Sequence, residues 1–211
     1  WTSMSDHENR SSGLGVTTGD LDRYFTFLRH VLVNTTATRS AGKPLDYAAA
    51  VTESMQLARA THDAGRKIMF IGNGGSAAIA SHMATDYSKN GGLRAMAMND
   101  GATLTCLSND LGYENVFAKQ IDLHANEGDL LVAISSSGRS ESITKAVRTA
   151  RDKGCAVMTL SGFAPGNPLR DLGDLNFYVA SDQYGYVEIA HLAICHAVLD
   201  FSCGLVPPTL S

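Results

Sequence analysis

The chain has 211 residues, 44% of them hydrophobic and 18% charged, a composition far from intrinsic disorder and sufficient for one domain with a proper core. A formal net charge of −4 supplies no broad attraction to phosphate backbones, which argues against nucleic-acid binding as a main role. No apolar run approaches the ~18 residues of a membrane span, and four scattered cysteines without a C-x-x-C pair argue against a disulfide framework or a thiolate zinc knuckle, so free thiols in the cytoplasm are expected.

Residues 1–19 are rich in Ser, Thr, Gly and charge and read as a disordered or appended tail, with Met4 a plausible natural start. One folded domain is expected over residues 20–206. Leu21, Tyr24, Phe25, Leu28, Val31 and Leu32 form the apolar stripe of a helix over residues 21–38, and a second helix is expected over 44–64, stopping at Gly65. The period then changes. Lys67 to Gly72 is a short, almost wholly apolar run, as in a strand covered on both faces.

Similar runs follow at 94–98, 129–135 and 155–160, with a weaker one at 175–180. Helical stretches at 76–89, 102–125 (broken at Gly112), 140–153 and 186–202 separate and follow them. Strand alternating with helix implies right-handed crossovers, and the expected fold is α/β, a doubly wound five-stranded parallel sheet behind two leading helices. Pro207 and Pro208 close the last helix.

In open α/β sheets ligands bind beyond the carboxyl ends of the strands. The first strand leads into Gly72-Asn73-Gly74-Gly75-Ser76, where glycines admit close backbone approach and Asn73 and Ser76 add side-chain hydrogen bonds. The loop also meets a loose G-x-G-x-x-A pattern, but a dinucleotide fingerprint wants an acid about 20 residues on, and Asp100 follows Gly72 by 28. The third strand leads into Ser135-Ser136-Ser137-Gly138-Arg139-Ser140. Serines cap helices and fill turns generally, but four in six positions after a buried strand favour a phosphate cradle, to which Arg139 could add charge.

Of the seven histidines, His7, His30, His62 and His124 read as solvated or packed. His82 and Asp86 stand four apart on one helix face, and the last helix carries Glu188, His191 and His196. At about 100° per residue, His191 and His196 diverge by about 140°, so both should not reach one small site, and geometry alone does not choose between them.

The two loops, with Ser108-Asn109-Asp110-Leu111-Gly112-Tyr113 and the histidine-bearing last helix, resemble the sugar isomerase (SIS) domain, especially the phosphoheptose isomerases, over about residues 46–200. The resemblance implies conversion of sedoheptulose 7-phosphate to a D-glycero-heptose 7-phosphate through an enediolate, in heptose biosynthesis. It implies a metal site of His82, Asp86, Glu188 and His196, with His191 outside it; two imidazoles and two carboxylates suit Zn²⁺. Asp86 would be the base and His196 the acid, and Glu188 is available to replace Asp86 as catalytic base. The family usually has Glu at Asp86 and Gln at Glu188.

By the same resemblance, Asn73, Gly74, Gly75, Ser76 and Asp100 would hold the sugar together with Glu188, and Ser135, Ser136, Ser137 and Ser140 the phosphate. Lys89 or Asn90 lies near a family arginine for the substrate. A homotetramer with shared sites is expected, assembled through the leading helices. Two other readings stand beside the enzyme: a non-catalytic phosphosugar-binding SIS protein of the initiator-associating type, and an isomerase of another phosphosugar.

Overall fold

The computed structural model describes residues 15–209. Its sheet has seven strands in the order β2-β1-β7-β6-β5-β3-β4. The strands β3 (Ile68–Gly72), β4 (Ala95–Ala97), β5 (Leu130–Ser135), β6 (Ala156–Ser161) and β7 (Leu175–Tyr178) form the expected five-stranded parallel core. Within each, side chains alternate between faces. Ile68 and Phe70 enter one apolar core and Met69 and Ile71 the other, which is why these strands read as unbroken apolar runs.

The sequence expectation of five strands is short by two. β1 (Thr36–Arg39) and β2 (Lys43–Leu45) add an antiparallel hairpin to the β7 edge. Their sequences, Thr-Ala-Thr-Arg and Lys-Pro-Leu, are too short and polar to show a period, and Pro44 is tolerated because β2 is an edge strand. The expected first helix is correspondingly shortened at its end, and α1 spans Thr18–Val33.

The start of α1 also revises the tail. Residues 1–14 lie outside the described residues, but Thr17 caps α1 in a reciprocal capping box with Asp20, so residues 17–19 belong to the fold. The other helices are α2 (Tyr47–Asp63), α3 (Gly75–Lys89), α4 (Gly101–Leu111), α5 (Val116–His124), α6 (Glu141–Asp152) and α7 (Tyr184–Ser202). The last ends at Ser202, with Cys203 as cap, before the prolines are reached.

α2, α3 and α7 pack on one sheet face; α5 and α6, with apolar side chains of α4, cover the other. The chain runs from β3 outward to β4 and then crosses to β5 on the other side of β3. The β3/β5 boundary is therefore the topological switch point, where a crevice opens beyond the carboxyl ends of the strands.

Candidate functional site

The loops leaving β3 and β5 meet at that crevice and line a cavity of about 240 Å³. Its walls are Asn73, Gly74, Gly75 and Ser76 from the first loop, Ser135, Ser136, Ser137 and Ser140 from the second, and Tyr184 and Glu188 from α7. A space of this size suits a small polar ligand, below the roughly 300–1,000 Å³ of sites for drug-sized molecules.

The first loop depends on its glycines. A Cβ on Gly72 would strike the backbone of Ser76 where α3 begins, and Gly74 has φ +56°. At Gly75 the Glu188 carboxylate stands where a Cβ would lie, so α7 brings that acid directly onto the loop. Asn73 is held at both ends of its amide, donating to Ser142 Oγ (3.0 Å) and accepting from the Tyr113 hydroxyl (2.7 Å).

The serine loop is fixed from below. Gly138 has φ +62°, and its N–H donates to the carbonyl (3.1 Å) and hydroxyl (3.2 Å) of Ser135. A Cβ there would collide with buried Asn167, whose amide donates to Ser161, Gly162 and Ala164. Ser140 opens α6 without capping it through its side chain, leaving the first-turn amides to an outside partner. The Ser136 hydroxyl is buried with no hydrogen-bond partner among the described residues, although burying such a group unpaired costs about 1–3 kcal/mol. An acceptor oxygen in the cavity would satisfy it. Arg139, by contrast, is exposed and does not line the cavity.

α3 and α7 run side by side and parallel. Gly75 meets Glu188 at one level, and His82 meets His196 further along both helices. His82, Asp86 and His196 present ligand atoms all within 4.8 Å of one another, a group that could hold a metal ion. The two Nε2 atoms are 3.3 Å apart, and His82 Nε2 lies 3.5 Å from Asp86 Oδ2.

Two expected site residues fall elsewhere. Glu188 is not in this group: it lies two helical turns before His196 and lines the cavity. Asp100 is exposed and caps α4, accepting from the amide and hydroxyl of Thr103 (both 2.8 Å); these bonds hold its carboxyl below the usual range. It does not line the cavity, and neither do Lys89 and Asn90, at the far end of α3. Tyr113, Ser142 and Asn167 were missed as supports, and Tyr184 as a wall. Tyr113 alone carried a signal, as the last residue of the Ser108 to Tyr113 segment that resembles the family.

His191, which helix geometry could not separate from His196, is wholly buried and bonds through Nε2 to the Ser161 carbonyl (3.1 Å). Burial pushes its imidazole down to about 4, against the weaker opposing pull of that hydrogen bond. It is a neutral core residue.

The SIS domain family profile matches residues 34–162, which include both loops, His82 and Asp86, and stop before α7. The phosphoheptose isomerase of Rhodospirillum rubrum is 38% identical over 171 residues, 78% of this chain and 88% of that one. That of Solidesulfovibrio magneticus is 39% identical over 165 residues, 75% and 76% of the two chains. Among solved structures, a phosphoheptose isomerase from Francisella tularensis superposes with TM-score 0.76 at 28% identity, covering 89% of this chain and 98% of its own. One from Neisseria gonorrhoeae gives 0.72 at 26%, covering 87% and 97%.

The buried imidazole gives a pH signature. The unfolded chain protonates His191 near the ordinary 6.5 and the folded chain only near 4, so stability falls as pH drops through that window, by roughly 3 kcal/mol. Urea unfolding of His191→Gln should show a flatter decline between pH 6.5 and 4, whatever its stability at neutral pH. An unchanged slope would contradict this.

Proposed function

This chain belongs to the SIS-domain family and, within it, to the phosphoheptose isomerases; we propose that it converts sedoheptulose 7-phosphate to D-glycero-heptose 7-phosphate as a cytoplasmic, metal-assisted homotetramer. It is an aldose-ketose isomerase acting on a phosphosugar. One observation carries the assignment of parts. The serine-lined cavity and the His82, Asp86, His196 group stand along the same pair of parallel helices, about 10 Å of helix rise apart from Gly75 to His82. An open-chain seven-carbon phosphosugar is long enough to reach from one to the other.

In this reading the phosphate lies among Ser135, Ser136, Ser137 and Ser140, with the α6 amides and the buried Ser136 hydroxyl donating to it. Asn73 and Glu188 take sugar hydroxyls in the cavity. The chain's first two carbons then lie toward Asp86 and His196. Ketose to aldose conversion removes a proton from C1, passes through an enediolate and returns a proton to C2. Asp86 turns Oδ2 toward His82, leaving its other oxygen to take the proton, and His196 serves as the acid near the oxygens.

Zinc fits the donor set. Nitrogen ligands at about 2.0–2.1 Å in tetrahedral arrangement stand about 3.3 Å apart, close to the His82 and His196 separation of 3.3 Å. His82, Asp86 and His196 would hold the ion, which when bound would stabilise the negative charge developing on the enediolate oxygens. Cytoplasmic residence is supported by four free cysteines and, among the described residues, by no helix long and apolar enough to cross a membrane.

The quaternary proposal rests on apolar surface. Leu21, Phe25, Phe27 and Val33 of α1 and Ile189 and Phe201 of α7 are 40–60% exposed, more than a lone domain would leave along two helices. Light scattering should give four copies at working concentration, and a monomer would overturn this. Aldose formation from sedoheptulose 7-phosphate should fall sharply with chelator and by roughly 10²- to 10⁴-fold in Asp86→Ala. Robust turnover by that variant would overturn the base assignment, and undiminished turnover by metal-free protein would overturn the metal role.

A further inference from the structure

The cavity has an aromatic wall that neither the phosphate cradle nor the acid and base account for. Tyr184 stands one turn before Glu188 on the same face of α7, and both line the cavity. Tyr186, two residues on, turns the other way and packs on Tyr24 and Phe27 of α1, with ring centroids 4.8 and 4.9 Å away. The two tyrosines thus divide the labour: one secures α1, and the other is left 62% exposed at the mouth of the cavity.

Its orientation is set by a second ring. Phe163 meets Tyr184 edge to face, centroids 4.8 Å apart and planes at 80°. To do so Phe163 adopts φ +56°, a left-handed conformation that a bulky residue rarely takes and that costs about 1–3 kcal/mol. Two hydrogen bonds hold it there: its N–H donates to the Ser181 carbonyl (2.9 Å), and the Tyr178 hydroxyl donates to its carbonyl (2.8 Å). A turn held in this way presents the Phe163 ring to one side of Tyr184.

We propose that Tyr184 is a specificity-determining residue that packs against the C–H face of the sugar chain, while the serine loop holds the phosphate. The inference rests on the reading of the cavity as the phosphosugar site. The serine loop offers its hydroxyls and amides equally to any phosphate, whereas the ring, one turn of α7 before Glu188 and so on the side away from His196, rewards only a ligand that carries C–H groups on the carbons next to its phosphate. Affinity for a phosphosugar above that for inorganic phosphate therefore depends on Tyr184 together with the sugar-hydroxyl contacts of Asn73 and Glu188.

Titration calorimetry with sedoheptulose 7-phosphate, fructose 6-phosphate and inorganic phosphate on the wild type, Tyr184→Ala and Tyr184→Phe tests this. Tyr184→Ala should weaken phosphosugar binding roughly tenfold and leave phosphate binding within twofold, and Tyr184→Phe, which keeps the ring, should recover most of the loss. Unchanged phosphosugar affinity in Tyr184→Ala would overturn the proposal, as would a parallel loss for inorganic phosphate. A wild type that binds fructose 6-phosphate and not sedoheptulose 7-phosphate would remove the substrate assignment alone, the Tyr184 effect then being read on the sugar that binds.

Discussion

The close, parallel packing of α3 against α7 is the contact on which the site depends. Glycines mark it at both ends. A Cβ on Gly75 would strike Glu188, and one on Gly91, just past α3, would lie 2.7 Å from Leu199. Between them Ala80 and Ala84 of α3 and Ala190 of α7 are buried, and the Tyr87 hydroxyl donates to the Cys195 carbonyl at 3.2 Å. Because the helices run in the same direction, each pair of facing residues repeats at a new level. One level places Glu188 against the glycine loop after β3, and the next brings His82 and His196 together.

This arrangement also explains how a protein of net charge −4 handles an anionic substrate. Helix N-terminal amides, a buried unpaired hydroxyl and closely set serines offer fixed dipoles, which do not require a basic surface. The nearest carboxylate, Glu188, is on the α7 side of the cavity rather than in the serine loop. Arg139 remains outside the cavity, so its charge is not part of the lining.

How much was legible in the sequence follows from where each signal arises. β3 and β5 were readable because burial on both faces leaves no polar alternation, and the loops after them because glycine and serine at strand ends have few other uses. β1 and β2 were not, being short edge strands of mixed polarity. His82 with Asp86 could be paired by helical spacing, whereas His82 with His196 is a contact between helices 114 residues apart, for which residues and spacing alone give no rule and family resemblance supplied the link. Asp100 was ambiguous because an acid near a strand end reads equally as ligand and as helix cap, and in this structure it accepts from Thr103 as a cap. Tyr184 was not legible because the sequence pattern starts the last helix at residue 186, two residues after it, and only the structure places it in α7 and on the cavity wall.

In the proposed mechanism, phosphate recognition and proton transfer occupy separate levels of one helix pair. Proton NMR of sedoheptulose 7-phosphate in D₂O reads the proton-transfer level, and calorimetry with inorganic phosphate reads the other. The wild type should replace hydrogen at C1 with deuterium, and His82→Ala and His196→Ala should lose that exchange while binding inorganic phosphate as the wild type does. Exchange persisting in both variants, or lost together with phosphate binding, would contradict the account.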